Sequence, residues 1–233
     1  PGTLAACVEL RSGGGLLRDS GAVADLQAAL AQATGEFLAQ LRRRLPKATF
    51  LVQFDEPLID RVLEGSVPTP SGFSAYKPVE QPNASAALRL CVKSAQASGA
   101  LPGAHTSAPI ALLREAGFLF VSIDLTLGSQ LARRDRDEFD EQFGALLDSE
   151  RLLFAGLGVD PAARPAPERT VRPLTDALGR LAIDPGKVLD QLVLTPTCGL
   201  AGVGKMANVR AVIAELSAAG RLLRDERVDL QER

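Results

Sequence analysis

Apolar positions recur along this chain with two periods, and the two alternate. Between residues 21 and 45 they fall at Val23, Leu26, Leu30, Phe37, Leu38 and Leu41, the spacing of an amphipathic helix that turns one stripe to a core. Pro46 ends it, because proline lacks the N–H the next turn needs. The run Thr49 to Phe54 is short and rich in β-branched and aromatic residues, so it predicts a strand that closes on Asp55-Glu56-Pro57. A loop punctuated by glycine and proline runs from about Gly65 to Pro82, and a helix follows from Ala86 to Ala97.

The cycle then repeats. A weak strand from Ala100 to Ala104, broken by Pro102 and Gly103, leads to His105; a helix covers Ile110 to Ala116, and a strand from Phe118 to Ile123 ends at Asp124. Phe139 to Leu147 is expected to be helical, Leu152 to Leu157 a strand, Val171 to Leu181 a helix, Leu192 to Thr195 the last strand and Asn208 to Leu223 the last helix. Strand followed by helix, with connections of this length, predicts parallel βαβ units. Five such strands suit either a doubly wound open sheet or most of a TIM (β/α)8 barrel. No G-x-G-x-x-G or P-loop pattern follows any strand, and Gly13-Gly14-Gly15 precedes a helix without a clear strand before it, which makes it a loop. The barrel is therefore the expected fold, as a single α/β domain over residues 1–233.

Composition narrows the function classes. A chain of 233 residues that is 46% hydrophobic can bury one large core. Its formal charge of −2 comes with a single dense basic run, Arg42-Arg43-Arg44, which suits the last turn of a helix; phosphate neutralisation needs more clustered cations, so no nucleic-acid partner is expected. Three cysteines without close pairing do not form a disulfide framework, which favours a reducing, cytoplasmic setting. Cys7 and Cys91 lie in helical apolar contexts and read as packing thiols. No run of about 20 apolar residues is present, so no membrane partner is expected.

Chemistry-bearing residues stand at the strand ends: Asp55 and Glu56 after the first, His105, the only histidine, after the second, Asp124 after the third and Cys198 after the last. In a TIM barrel those ends share one mouth. Imidazole, carboxylate and thiolate are the ligand types that zinc takes. Each residue also has a plain structural role open to it: a hydrogen-bonded loop histidine, a helix cap at Asp124, and a turn residue at Cys198, where Gly199 would permit the bend.

Four segments in order, VQFDEP at 52–57, AHTSAP at 104–109, VSID at 121–124 and LTPTCGLAG at 194–202, together resemble the catalytic domain of cobalamin-independent methionine synthase, especially its short single-domain relatives. The opening PGTLAA looks like the remains of that family's G-P-x-T strand end. The resemblance implies a barrel of the methionine synthase and uroporphyrinogen decarboxylase type, with its first two strands missing from the given chain, so that the barrel domain is N-terminally incomplete and upstream residues are expected. It implies zinc ligands at His105, Ser107, Asp124 and Cys198, with Ser107 standing where the family has cysteine, and Asp55 as the group that receives the amino end of homocysteine. The implied activity is methyl transfer to the homocysteine thiol to form methionine, with a methyl-corrinoid protein as the donor in the short relatives. The loop from Gly65 to Pro82, which carries Tyr76, would cover the mouth. Ser107 supports an alternative, a non-catalytic barrel that binds a small thiol or amino acid without competent zinc. A metal-free decarboxylase of the uroporphyrinogen type ranks last, because no strand end is rich in arginine.

Overall fold

The computed structural model describes residues 1–106, 110–128, 133–149 and 151–231, without the side chains of 133, 134 and 226–231. Two units divide the chain, Pro1–Val121 and Ser122–Arg233. Five strands run through them as one parallel sheet in the order β1 (Leu51–Asp55), β2 (Leu101–His105), β3 (Phe120–Asp124), β4 (Leu152–Leu157), β5 (Leu192–Pro196). Each strand lies beside its successor and the order never reverses. A doubly wound sheet reverses at a switch point, whereas a barrel sheet does not; this order is compatible with a TIM-like α/β fold.

In the first unit α1 (Gly2–Cys7) precedes the long α2 (Ser20–Arg44). Asp19 starts α2 by accepting a hydrogen bond from Ala22 N at 3.0 Å, which satisfies one of the orphan donors of the first turn. Three arginines close it, as the helix dipole favours. Arg42 also reaches beyond its own helix. Its Nη2 donates to Gly99 O at 2.9 Å, and its guanidinium lies over the Phe50 ring. Only Leu38 on α2 is fully buried, packing with Ala95 and Ala100 against Phe50 and Val52. Phe37, expected on the apolar stripe, points outward and is 59% exposed.

The segment after β1 forms α3 (Ile59–Glu64) and then α4 (Gln81–Ala97). The second of these begins five residues before the expected Ala86, because Pro82 sits in its first turn, where a missing N–H costs nothing. After β2 comes α5 (Ile110–Ala116). The strand expected to be weak at Pro102-Gly103 forms in full, pairing Leu51 with Leu101 through to Asp55 with His105. Gly103 has a physical reason: a Cβ there would lie 2.0 Å from Cε2 of the Phe120 ring, which occupies the space instead.

The second unit carries α6 (Leu125–Gly128), α7 (Arg133–Leu147), α8 (Pro167–Arg180), α9 (Pro185–Val188) and α10 (Met206–Gln231). Here α8 and α10 cover β4 and β5, burying Val171, Leu174 and Leu178 of the former and Val212, Leu216, Ala219 and Leu223 of the latter. A bidentate pair locks α8 to α7: Arg180 Nε and Nη2 donate to the two carboxylate oxygens of Asp140 at 2.6 and 2.8 Å. No described helix is long and apolar enough to cross a membrane.

Candidate functional site

Three of the residues singled out in the sequence are the last residues of consecutive strands: Asp55 ends β1, His105 ends β2 and Asp124 ends β3. Cys198 follows the end of β5 at Pro196. Ser107 lies outside the described residues.

In the first unit Asp55 and His105 are direct register partners, so their side chains leave the same face of the sheet. Leu51, Gln53 and Asp55 form the exposed side of β1, while Phe54 faces the helices and meets the Phe118 ring at 6.1 Å. Gln53 Nε2 donates to Asp55 Oδ1 at 2.8 Å, which orients the carboxylate and leaves it open to solvent. The next residue has the opposite fate. Glu56 is 1% exposed; its Oε2 accepts Thr3 N at 2.7 Å, and its Oε1 pairs with the amino group of Pro1. Its backbone is stitched to the end of β2, with Glu56 N donating to His105 O and Thr106 Oγ1 donating to Glu56 O, each at 2.9 Å. Asp55 and His105 are thus held side by side by main-chain and hydroxyl bonds one residue further on.

Sequence reasoning named Glu56 without giving it a role. The signal was the alternation of a strand, which sends neighbours to opposite faces. Tyr76, expected over the mouth, is anchored by its hydroxyl, which accepts Gly15 N at 2.7 Å; the glycine loop at 13–15 is its socket.

In the second unit Asp124 caps the turn that follows β3, its Oδ1 accepting both Thr126 N at 2.8 Å and Thr126 Oγ1 at 2.6 Å. Oδ2 accepts no hydrogen bond among the described residues. A carboxylate fixed on one oxygen and open on the other is how ligating carboxylates are commonly held. Cys198 is a free, exposed thiol. Between the two segments lies Gly156 on β4, where a Cβ would stand 2.7 Å from Ile123 O, 3.2 Å from Thr197 Cα and 3.3 Å from Asp124 Cα. The absent side chain lets the ends of β3 and β5 close on β4, which brings the backbone of Asp124 and that of the residue before Cys198 to the same spot.

Two expectations are corrected. Gly199 has φ −58° and ψ 151°, an extended conformation open to any residue, and nothing lies within 4 Å of a Cβ there; the bend at Cys198 does not depend on glycine. Cys7, read as a packing thiol, is exposed at the end of α1, whereas Cys91 is buried as expected. Burial pushes the Cys91 thiol pKa up, and the nearby Glu56 carboxylate adds to that shift.

No family model matches the chain, and no curated protein does.

Among the described residues no three His, Cys, Asp or Glu side chains gather around one point. The donor types at the strand ends are ones that zinc takes.

Proposed function

We propose that this chain is a methyltransferase-like barrel of the methionine synthase and uroporphyrinogen decarboxylase type, which transfers a methyl group to the thiol of homocysteine. The observation that carries the reading is positional: Asp55, His105 and Asp124 are each the terminal residue of successive parallel strands, with Cys198 just past another, where barrel enzymes hold their chemistry. His105, Asp124 and Cys198 would hold zinc, with Ser107 as a weaker fourth contact. When bound, the metal would supply one thing, a substrate thiol that gives up its proton near neutral pH, where a free thiol of pKa about 8.5 keeps it.

The chain's own residues do the rest. Asp55, exposed and steadied by Gln53, receives the substrate ammonium; Glu56, buried and already engaged by the Thr3 amide, does not compete for it. Anchoring the amino end holds the sulfur in register for in-line attack, an orientation effect. The sulfur–carbon bond then forms as the donor–methyl bond breaks, with a methyl-corrinoid protein as the donor. Thr126 keeps Asp124 aimed.

Ser107 favours a second reading, a non-catalytic barrel that takes a small thiol or amino acid without zinc. Metal content and calorimetry separate the two. The enzyme reading expects zinc that a chelator competes for, tighter zinc in Ser107→Cys because thiolate is a softer donor, and homocysteine affinity that falls by about 1.5–3 kcal/mol in Asp55→Asn. If neither the parent nor Ser107→Cys binds zinc, the non-catalytic reading replaces it. If Asp55→Asn leaves affinity unchanged, Asp55 leaves the site.

A further inference from the structure

Gln53 and Asp55 stand on one face of β1, because alternate residues of a strand point the same way, and both are exposed. One hydrogen bond joins them, with Gln53 Nε2 donating to Asp55 Oδ1 at 2.8 Å. An amide nitrogen carries two N–H donors and a carboxylate about four acceptor sites, so each group keeps capacity after that bond is made. Among the described residues neither side chain has a second partner. The register partner of Gln53 on β2 is Gly103, whose space the Phe120 ring fills, so β2 sets no polar side chain against the amide.

A donor and an acceptor in contact are what an α-amino acid asks of its receptor, since its ammonium and its carboxylate hang on one carbon. We propose that Gln53 is a specificity-determining residue: its second amide N–H donates to the α-carboxylate of the amino acid whose ammonium Asp55 receives. This rests on the role given to Asp55 above and goes beyond it, because it adds a requirement that the substrate keep its carboxylate. A lysine or arginine in place of Gln53 would itself pair with Asp55 and compete with the ammonium. An amide orients the carboxylate and leaves its charge for the substrate to meet.

The bond to Asp55 alone would make Gln53 a positioning residue, and the test separates the two roles. Homocysteine and aminopropanethiol, the same molecule without its carboxylate, are titrated calorimetrically into the full chain. Thiol and ammonium are common to both, so whatever holds them cancels in the ratio of the two affinities. The parent is expected to prefer homocysteine by about tenfold, the low end for a hydrogen bond to a charged group because the site is exposed. Gln53→Leu, on the exposed side of β1, is expected to erase that preference, and Gln53→Glu to reverse it by setting two like charges together. Asp55→Asn is expected to weaken both ligands alike. A preference that survives Gln53→Leu overturns the proposal and leaves Asp55 in its role, as does equal binding of the two ligands by the parent. If the parent binds neither ligand, the role of Asp55 falls and that of Gln53 with it.

Discussion

Replacing Gly156 by alanine tests the claim that the ends of β3 and β5 converge on a missing side chain. The new Cβ would stand 2.7 Å from Ile123 O, with Thr197 Cα and Asp124 Cα the next nearest at 3.2 and 3.3 Å. All three are backbone atoms, so no rotamer change relieves the contact; a strand must move by roughly half an ångström, which for overpacking in a filled interior costs about 1–3 kcal/mol. Alanine also restricts the unfolded chain, which offsets about 0.4–1 kcal/mol. The net expectation is a loss of about 1–2 kcal/mol, or roughly 3–6 °C in Tm for a chain of 233 residues.

Gly199→Ala is the matched control, since a Cβ there meets nothing within 4 Å and its φ is negative; it is expected to be neutral or slightly stabilising. Urea unfolding of the two variants and the parent, compared by midpoint at unchanged m-value, reads the difference. If Gly156→Ala is as stable as Gly199→Ala, the strand ends have room that the backbone contacts deny, and the argument for their convergence fails.

Two further outcomes are expected. With the Cys91 thiol pKa raised in the folded state, the unfolded chain loses its proton first as pH rises, so Cys91 contributes a fall in stability that begins near pH 8.5 and reaches at most about 1.4 kcal/mol per pH unit; the difference between parent and Cys91→Ala across pH 7–10 checks it, and a parallel pH dependence refutes it. Arg180→Ala would strip Asp140, 8% exposed, of two charge-assisted hydrogen bonds, at a cost of about 2 kcal/mol by urea unfolding, between the values for exposed and buried pairs; a loss within experimental error would mean the pair is screened as a surface one.

Hydrophobic period carries the strands well, since β4 matches its expected bounds and β1, β2, β3 and β5 fall within two residues of theirs. It fails where the reason for a residue lies on another strand. Pro102-Gly103 reads as a break because nothing local says that the Phe120 ring needs the space over Gly103. Short helices such as α1 and α3 carry less than two turns of periodic signal, and the expected start of α4 is late because Pro82 reads as loop punctuation instead of a first-turn residue. Position at a strand end is legible for Asp55, His105 and Asp124, but the state of each carboxylate is not. Asp55 and Glu56 are chemically alike neighbours in sequence, and one lies open while the other is buried under Thr3 and Pro1. Glu215, buried on α10, is invisible for a related reason: the period assigns its position to the buried side, and only the approach of α8 supplies the partners that make a carboxylate tolerable there.

Glycine marks the tightest approaches to β2 and to β4, and this bears on how a strand-end site can be assembled at all. Over Gly103 the space is taken by a buried aromatic ring, so that strand is held by apolar filling. Over Gly156 it is taken by the main chain of both neighbours, which leaves the side chains at the tips free of packing duty. Asp124 can then spend one oxygen on Thr126 and keep the other, and the Cys198 thiol stays exposed. A strand end built on bulky side chains would have to bury the very groups that chemistry needs at the surface; one built on a backbone contact does not. The backbone contact at Gly156 thus brings the segments that carry Asp124 and Cys198 close together without using either side chain for packing.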